Sequence, residues 1–303
     1  MFLNWLGALP GAAAQGMVWG IMAIGVYLTY KILDFADLTV DGSICTGGAV
    51  CAILVTNGVN VWIAMLAALI AGMLTGFITG VLHTCMGIPA ILAGILTQLI
   101  LWSVNLKIMG KANIALPIRN YKLLLAQIYT TKSILVLLGV IAVLIAVLYW
   151  FFGTELGTAV RATGNNQNMS RAQGINTNVT TILALVLSNG IVALSGALLA
   201  QYQGFSDINM GRGAIVIGLA AVIIGEAVMS KISSNFAAKL VGVILGGVIY
   251  YFVYQTVIFL GLDADLLKML SAIVVAVFLA VPYWKKKYFT KPTVKAKGGQ
   301  GNA

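Results

Sequence analysis

Few side chains in this 303-residue chain could carry out catalysis. The only histidine, His83, lies two residues before Cys85 near the end of an apolar stretch, and no Ser/His/Asp set can be assembled around it. Two potential ligands with no others nearby in sequence do not predict a metal site. The chain also lacks the GxxxxGK[ST] loop that would hold nucleotide phosphates. We therefore expect no enzyme activity, no cofactor and no metal, so that any ATP energy must come from a partner.

Carboxylates that would suit an ion-coupled carrier are also scarce. No Asp or Glu occurs between residues 42 and 154. Glu226 lies late in an apolar stretch and is the best intramembrane candidate, although the favoured account is a helix-end acid paired with the nearby Lys231. The other candidates lie at or near the ends of apolar stretches: Asp34, Asp37, Asp41, Asp207, Asp263 and Asp265.

Two of these aspartates belong to an internal similarity. Residues 35–40 (FADLTV) match residues 205–210 (FSDINM), and a glycine follows each phenylalanine at the same offset. Five predicted crossings separate the copies, so their orientations would be opposite, as in the inverted repeats that build many transporters around broken helices. Chance similarity in so apolar a chain is the alternative. The predicted pathway residues are Phe35, Asp37, Gly48, Phe205, Asp207 and Gly218.

Composition indicates the elements that must position these residues. Hydrophobic residues make up 60% of the chain and charged residues only 9%, against about 25% charged residues in a soluble domain. We predict an all-α polytopic membrane protein with about nine transmembrane helices, an inverted internal repeat and broken helices. The predicted spans are 10–31, 42–57, 59–83, 88–106, 132–153, 178–200, 213–229, 238–260 and 266–283.

One transmembrane domain is expected over residues 1–284, with a first repeat at about 10–153 and a second at about 178–284. The basic tail, 285–303, carries six lysines directly after the last span. Basic segments beside spans favour the cytoplasm, so we expect a cytoplasmic C-terminus and an external N-terminus. On the third span, Gly72, Gly76 and Gly80 form a packing face, either within the subunit or against a second copy.

The same orientation makes the connection between residues 107 and 132 extracellular, although it carries five basic residues and no carboxylate. A basic surface of this kind can dock an acidic partner. The alternative is a loop that is merely tolerated there. The predicted docking residues are Lys107, Lys111, Arg119 and Lys122.

Residues 154–177 form a polar, glycine-punctuated segment between two apolar stretches. We predict that residues 154–163 continue the preceding helix to a stop at Gly164, and that Asn165 or Asn166 caps a second short helix ending at Gly174. Two short helices outside the membrane suggest a docking surface for another subunit, with an ordinary solvated loop as the alternative.

Several stretches together carry a family resemblance that covers nearly the whole chain. They are residues 33–42 (LDFADLTVDG), 87–97 (GIPAILAGILT), 155–175 and 195–200 (SGALLA). With these, the chain resembles the permease subunits of bacterial ABC importers related to the branched-chain amino acid and ribose permeases. Residues 105–110 (NLKIMG) and 261–268 are similar to an aromatic amino acid (tryptophan or tyrosine) branch, and the chain lacks the additional N-terminal span of ribose-type permeases.

The resemblance implies a homodimer, or a heterodimer with a similar permease, in the bacterial cell membrane, with two cytoplasmic ATPase subunits and one extracellular binding protein. A stand-alone secondary transporter or channel is the alternative. The resemblance also implies that the 154–177 segment contacts the ATPases through Glu155, Gly157, Arg161, Gly164, Asn165, Asn166, Arg171, Ala172 and Gly174.

Overall fold

The computed structural model describes residues 2–117, 121, 123–229 and 235–259, with six further positions between 269 and 280. Arg119, Lys122, Lys231, most of the predicted last span and the basic tail lie outside these residues. The α-helices of the described part are α1 (Phe2–Tyr27), α2 (Val40–Thr56), α3 (Val61–Thr84), α4 (Ala90–Met109), α5 (Thr130–Phe151), α6 (Glu155–Asn165), α7 (Gln167–Ala172), α8 (Thr177–Gln203), α9 (Ala214–Met229) and α10 (Phe236–Phe259).

Six of these helices are long and apolar enough to cross a membrane, namely α1, α3, α4, α5, α8 and α10. Two more apolar helices, α2 and α9, are shorter. The prediction of a helical membrane protein is thus confirmed in the described residues, and eight of the nine predicted spans correspond to these helices. The ninth, 266–283, lies mostly outside the described residues, with only six helical positions described within it, so nine crossings stays a prediction.

The chain around α2 is interrupted. A π-helical turn, Leu28–Ile32, extends α1, and Asp34 then adopts a left-handed conformation with φ 55°. Aspartate tolerates this region better than most residues. Residues 34–37 form no helix or strand, and α2 begins at Val40. The turn at Asp34 therefore leads the chain from the end of α1 back into the bundle.

The long helices α1 and α8 cross the centre of the bundle side by side. The Ser188 hydroxyl donates to the Gly25 carbonyl at 2.8 Å, and the Ser195 hydroxyl donates to the Val18 carbonyl at 2.7 Å. The later residue of α8 bonds to the earlier residue of α1, so the two helices are antiparallel. Helix α1 also packs against α9 and α10, and α8 also packs against α2 and α3.

The glycine face of α3 packs within the subunit. A Cβ at Gly72 would overlap the Asn189 carbonyl of α8, and a Cβ at Gly76 would overlap the Leu185 carbonyl. At Gly80 the added atom would lie 2.9 Å from the Ile182 side chain. The sequence left open whether this face packs within the subunit or against a second copy. The structure shows that it packs within the subunit.

A small antiparallel sheet departs from the all-α prediction. Strand β1 (Asn113–Ala115) follows α4 and pairs with strand β2 (Phe205–Asp207), which follows α8. The sheet links two loops that are about ninety residues apart in sequence. Hydropathy along the chain does not indicate such a long-range pairing. We call the end of the bundle that carries it the sheet end.

Candidate functional site: a capped helix pair and a central polar cluster

The 154–177 segment contains two short helices, as predicted, but their boundaries differ. Helix α5 ends at Phe151 and α6 is separate from it, because Thr154 is extended and its hydroxyl accepts a hydrogen bond from the Gly157 amide at 3.4 Å. The prediction that residues 154–163 continue the preceding helix is therefore wrong. The prediction of an asparagine cap is confirmed at Asn166, whose side chain accepts from the Met169 amide at 3.0 Å.

Glycines set how closely α6 packs against its surroundings. A Cβ at Gly164 would overlap the Ile32 carbonyl at the end of α1, and one at Gly157 would overlap the Phe151 carbonyl. Helix α6 continues through Gly164 to Asn165, so Gly164 is a close-packing position and not the helix stop that was predicted. Gly174, with φ 82°, takes the left-handed conformation expected after the end of a helix.

Polar contacts fix the helix pair to the bundle. The Thr163 hydroxyl of α6 lies 2.8 Å from the Thr180 hydroxyl of α8, and Arg171 Nε donates to Thr177 Oγ1 at 2.8 Å. The Arg161 guanidinium lies 4.6 Å from the centre of the Phe236 ring and 5.1 Å from that of Phe152. These contacts join α6 to α5, α8 and α10, so the segment can move with the bundle helices as one body.

Beside these contacts lies an apolar groove of about 570 Å³ between α6 and the start of α8. Leu156 and Val179 line it, and each is 54% exposed. Met169 on α7 is 61% exposed nearby in sequence. Exposed apolar residues on an otherwise polar segment are typical of a surface that contacts another protein or lipid. Sequence reasoning missed these residues because it searched the segment for polar and glycine positions.

The remaining predicted members of the segment lie on its surface. They are Glu155, Asn165, Asn166, Arg171, Ala172 and Gly174, all exposed. Glu155 also lines the groove, and Asn165 lines a separate cavity of about 690 Å³ that Arg161, Gly164 and Lys31 share.

The two aspartates of the repeat make the same local turn. Asp37 Oδ1 accepts from the Thr39 amide at 2.9 Å, and Asp207 Oδ1 accepts from the Asn209 amide at 2.7 Å. Their wider surroundings differ, since Asp37 is 2% exposed whereas Asp207 lies in the sheet with Asn113 Nδ2 at 3.4 Å from its Oδ2.

Asp37 belongs to a buried set of polar residues that we call the central polar cluster. Its Oδ2 accepts from Asn189 Nδ2 at 2.7 Å, and Asn189 Oδ1 accepts from the Ser43 hydroxyl at 2.6 Å. Because a membrane interior supplies no water, buried polar groups must find partners within the protein. The cluster joins α2, α3, α4 and α8; its members are Asp37, Thr39, Ser43, Thr75, Thr79, Thr97 and Asn189.

Two of the other motif residues, Gly48 and Gly218, lie close to segments that are far away in sequence. A Cβ at Gly48 would lie 2.9 Å from Met210 Sδ, and one at Gly218 would lie 2.8 Å from the Val26 side chain. Phe35 is buried and packs edge-on against the His83 ring, with ring centres 5.0 Å apart. Phe205 is 39% exposed at the sheet end. The matching phenylalanines therefore have different environments.

Charged groups lie mainly at the ends of the bundle. Glu226 pairs with Lys31 Nζ at 3.1 Å, so its partner in the described structure comes from the end of α1, whereas Lys231 is outside the described residues. Lys107 and Lys111 are exposed near β1. Within the described residues, no three His, Cys, Asp or Glu side chains are grouped so that they could hold a metal ion.

Comparison with known proteins agrees with this architecture. A family model described as the permease component of branched-chain amino acid transport systems matches residues 9–281. A tyrosine transport system permease protein of Clostridioides difficile is 40% identical over 266 residues, 88% of each chain. An uncharacterized protein of Rickettsia prowazekii is 32% identical, over 89% of this chain and 95% of its own length. The ribose import permease of Escherichia coli K12 is 25% identical, over 88% of this chain and 83% of its own length. No solved structure matches.

Proposed function

Because the chain belongs to the permease family of ABC importers, we propose that it forms the translocation pathway for an amino acid delivered by an extracellular binding protein. The observation that carries the substrate class is the 40% identity to a tyrosine transport permease over most of both chains. We propose aromatic or branched-chain amino acids as the cargo. The chain is a transport subunit, and ATP hydrolysis belongs to its partners.

The proposed inverted repeat relates α1, α2 and α3 to α8, α9 and α10. Packing supports this assignment, because α1 packs against α9 and α10 in the same way that α8 packs against α2 and α3. Antiparallel α1 and α8 have the relation that two oppositely oriented copies require. The short helices α2 and α9 then occupy equivalent places beside the pathway, in a subunit that we propose forms a permease dimer.

We propose that the 154–177 segment is the contact for the ATPases and lies in the cytoplasm, with the sheet end and the N-terminus outside. The lysine-rich tail supports this orientation. The apolar groove offers a site for an ATPase side chain, and the contacts to α5, α8 and α10 offer a route from ATPase closure to the bundle, a two-state change biased by nucleotide. Lys107, Lys111, Arg119 and Lys122 are proposed to dock the binding protein.

Co-purification and transport test this proposal. Leu156→Asp and Val179→Asp place a charge in the apolar groove and should abolish co-purification with the ATPases. Asn57→Asp adds the same charge to an exposed position outside the 154–177 segment and should leave assembly intact. Arg161→Glu should leave membrane insertion intact and uncouple ATP hydrolysis from uptake.

Uptake is measured in proteoliposomes that contain the permease, its ATPases and the binding protein. ATP-dependent uptake of L-tyrosine or L-leucine is the expected result. Uptake by the permease alone, without any associated ATPase, would instead establish a stand-alone carrier and refute the proposal.

A further inference from the structure

A cavity of about 240 Å³ lies where the first short helix meets the loop that precedes the second. Helix α2 contributes Asp41 and Cys45, α4 contributes residues between Gln98 and Asn105, and the loop before α9 contributes Ile208 and Arg212. A water molecule occupies about 30 Å³ of liquid. The cavity thus has space for about eight waters, which is the space of one small organic solute.

Asn105 gives this cavity an unexplained feature. Its side chain is 1% exposed, and neither its Nδ2 nor its Oδ1 has a hydrogen-bond partner among the described residues. Buried amides in folded proteins are nearly always hydrogen-bonded, and an unpaired one is destabilising. Asn105 is one of the residues that line the cavity, and its amide atoms are covered by neighbouring protein atoms. A guest that displaces this cover can supply both a donor and an acceptor.

Two opposite charges face the same space. The Asp41 carboxylate is held in place by the Gly213 and Ile215 amides at the start of α9, each at 2.9 Å. The guanidinium of Arg212 has no carboxylate partner within the described residues, where the single ion pair joins Lys31 and Glu226. A fixed carboxylate thus lines the cavity together with an available cation.

We propose that this cavity is a transient binding site for the zwitterionic end of an α-amino acid on the translocation pathway, an inference that rests on the proposed function. The ammonium group of the amino acid faces Asp41, its carboxylate pairs with Arg212, and the Asn105 amide bonds to either group. Trp102, which is 45% exposed, borders the same cavity and offers an apolar surface to the side chain of the cargo.

Position in the fold supports a place on the pathway. The lining residues of α4 come from its middle and its second half, so the cavity lies between the two ends of that helix. Its rim is open to the surface of the subunit, where Leu99, Trp102 and Arg212 are exposed. Gly211, beside Arg212, packs so closely on α2 that a Cβ there would overlap the Asp41 carbonyl. These contacts tie the loop before α9 to α2 on both sides of Arg212, so Asp41 and the backbone that carries Arg212 keep a fixed relation.

The test uses the complete importer in proteoliposomes, with L-tyrosine and L-leucine as cargo. Asn105→Leu and Arg212→Gln should each reduce uptake at least fivefold, while ATP hydrolysis stimulated by the loaded binding protein keeps its wild-type rate. Asp41 is left unchanged because it caps α9. The melting temperature of Asn105→Leu should be equal to or higher than that of the wild type, since the substitution removes an unpaired buried amide of similar size.

Thr97→Val on the same helix is the matched control. Thr97 accepts a hydrogen bond from Thr79 at 2.9 Å in the central polar cluster and does not line the cavity, so its loss should lower the melting temperature without a specific loss of uptake. Unchanged uptake in both cavity variants would overturn the inference and leave a cavity that holds only water. A lowered melting temperature for Asn105→Leu, in proportion to its lost uptake, would make Asn105 a structural residue and overturn its assignment.

Failure of the two proposals can be told apart. If the wild-type importer transports no amino acid but transports D-ribose, the amino acid cargo of the proposed function is refuted. If the wild type transports amino acids and the cavity variants do so equally well, only the cavity assignment is refuted.

Discussion

A single methyl group at position 164 should loosen the helix pair from the bundle. In the Gly164→Ala variant the new Cβ would overlap the Ile32 carbonyl and lie 2.8 Å from the Leu33 Cα, whereas ordinary van der Waals contact begins at 3.4 Å. Both neighbours are backbone atoms and cannot rotate away. Helix α6 must therefore shift by at least 3.4 − 2.8 = 0.6 Å relative to the end of α1. Any part of this shift that points away from α8 lengthens the Thr163 to Thr180 contact beyond its present 2.8 Å and weakens that hydrogen bond.

The energetic effect can be separated from helix propensity with a control. Replacing glycine by alanine within a helix gains about 0.8–1 kcal/mol of propensity, and Gly139 in α5 has open space around its Cα, so Gly139→Ala should show that gain alone. Overpacking typically costs about 1–3 kcal/mol. Gly164→Ala should therefore be less stable than Gly139→Ala by about 1–3 kcal/mol.

Two measurements check this difference. Thermal unfolding of the purified variants reports stability, and reconstituted importers report uptake per ATP hydrolysed. If the strain falls on the state in which the ATPases are closed, 1 kcal/mol lowers its population about fivefold, and uptake should fall accordingly while membrane insertion is normal. A Gly164→Ala variant that matches Gly139→Ala in both measurements would show that the contact of α6 with α1 does not transmit the ATPase motion.

Two further substitutions test other parts of the molecule. Asn189→Leu removes the donor to the buried Asp37 carboxylate and should destabilise the protein by about 1–3 kcal/mol or more. As a control, Asn57→Leu at an exposed position should change stability by less than about 0.5 kcal/mol. Equal melting temperatures for the two variants would contradict a structural role for the central polar cluster. Replacing both Lys107 and Lys111 by Glu should weaken the affinity for the binding protein about fivefold to thirtyfold, because roughly 1–2 kcal/mol of surface charge pairing is lost. The wild-type affinity should fall as the salt concentration rises. An affinity that does not depend on salt would argue against electrostatic docking.

Local signals in the sequence predicted local structure well. Runs of apolar residues located eight helices, two of them shorter than the rest. Asn166 was among the two candidate caps, and Gly174 marks the end of α7 because its φ of 82° favours glycine. The two aspartates of the repeat both turned out to accept from the amide two residues ahead. Each of these features depends on residues that are neighbours in sequence.

Features assembled from distant parts of the chain could not be predicted in the same way. The apolar groove needs Leu156 and Val179 together, and the central polar cluster needs Asp37 beside Asn189, which is 152 positions away. Gly164 resembled a helix stop in sequence, but its closeness to Ile32 depends on the packing of α6 against the end of α1. The break before α6 depended on a single threonine cap that competes with the continuation of α5.

The central position of α8 has a consequence for how the protein is made. Two surfaces pack on α8 in the finished fold, namely the glycine face of α3 and the surface of α1 around Gly25. Both stay uncovered until α8 has been synthesised. The first five helices can pack on one another before then, since α2 contacts α3 and α4 and α1 contacts α5, but these two surfaces are covered only when α8 arrives. Biogenesis should be most vulnerable in this interval, so a ribosome that stalls within the 154–177 segment would leave a product that cannot complete its own core.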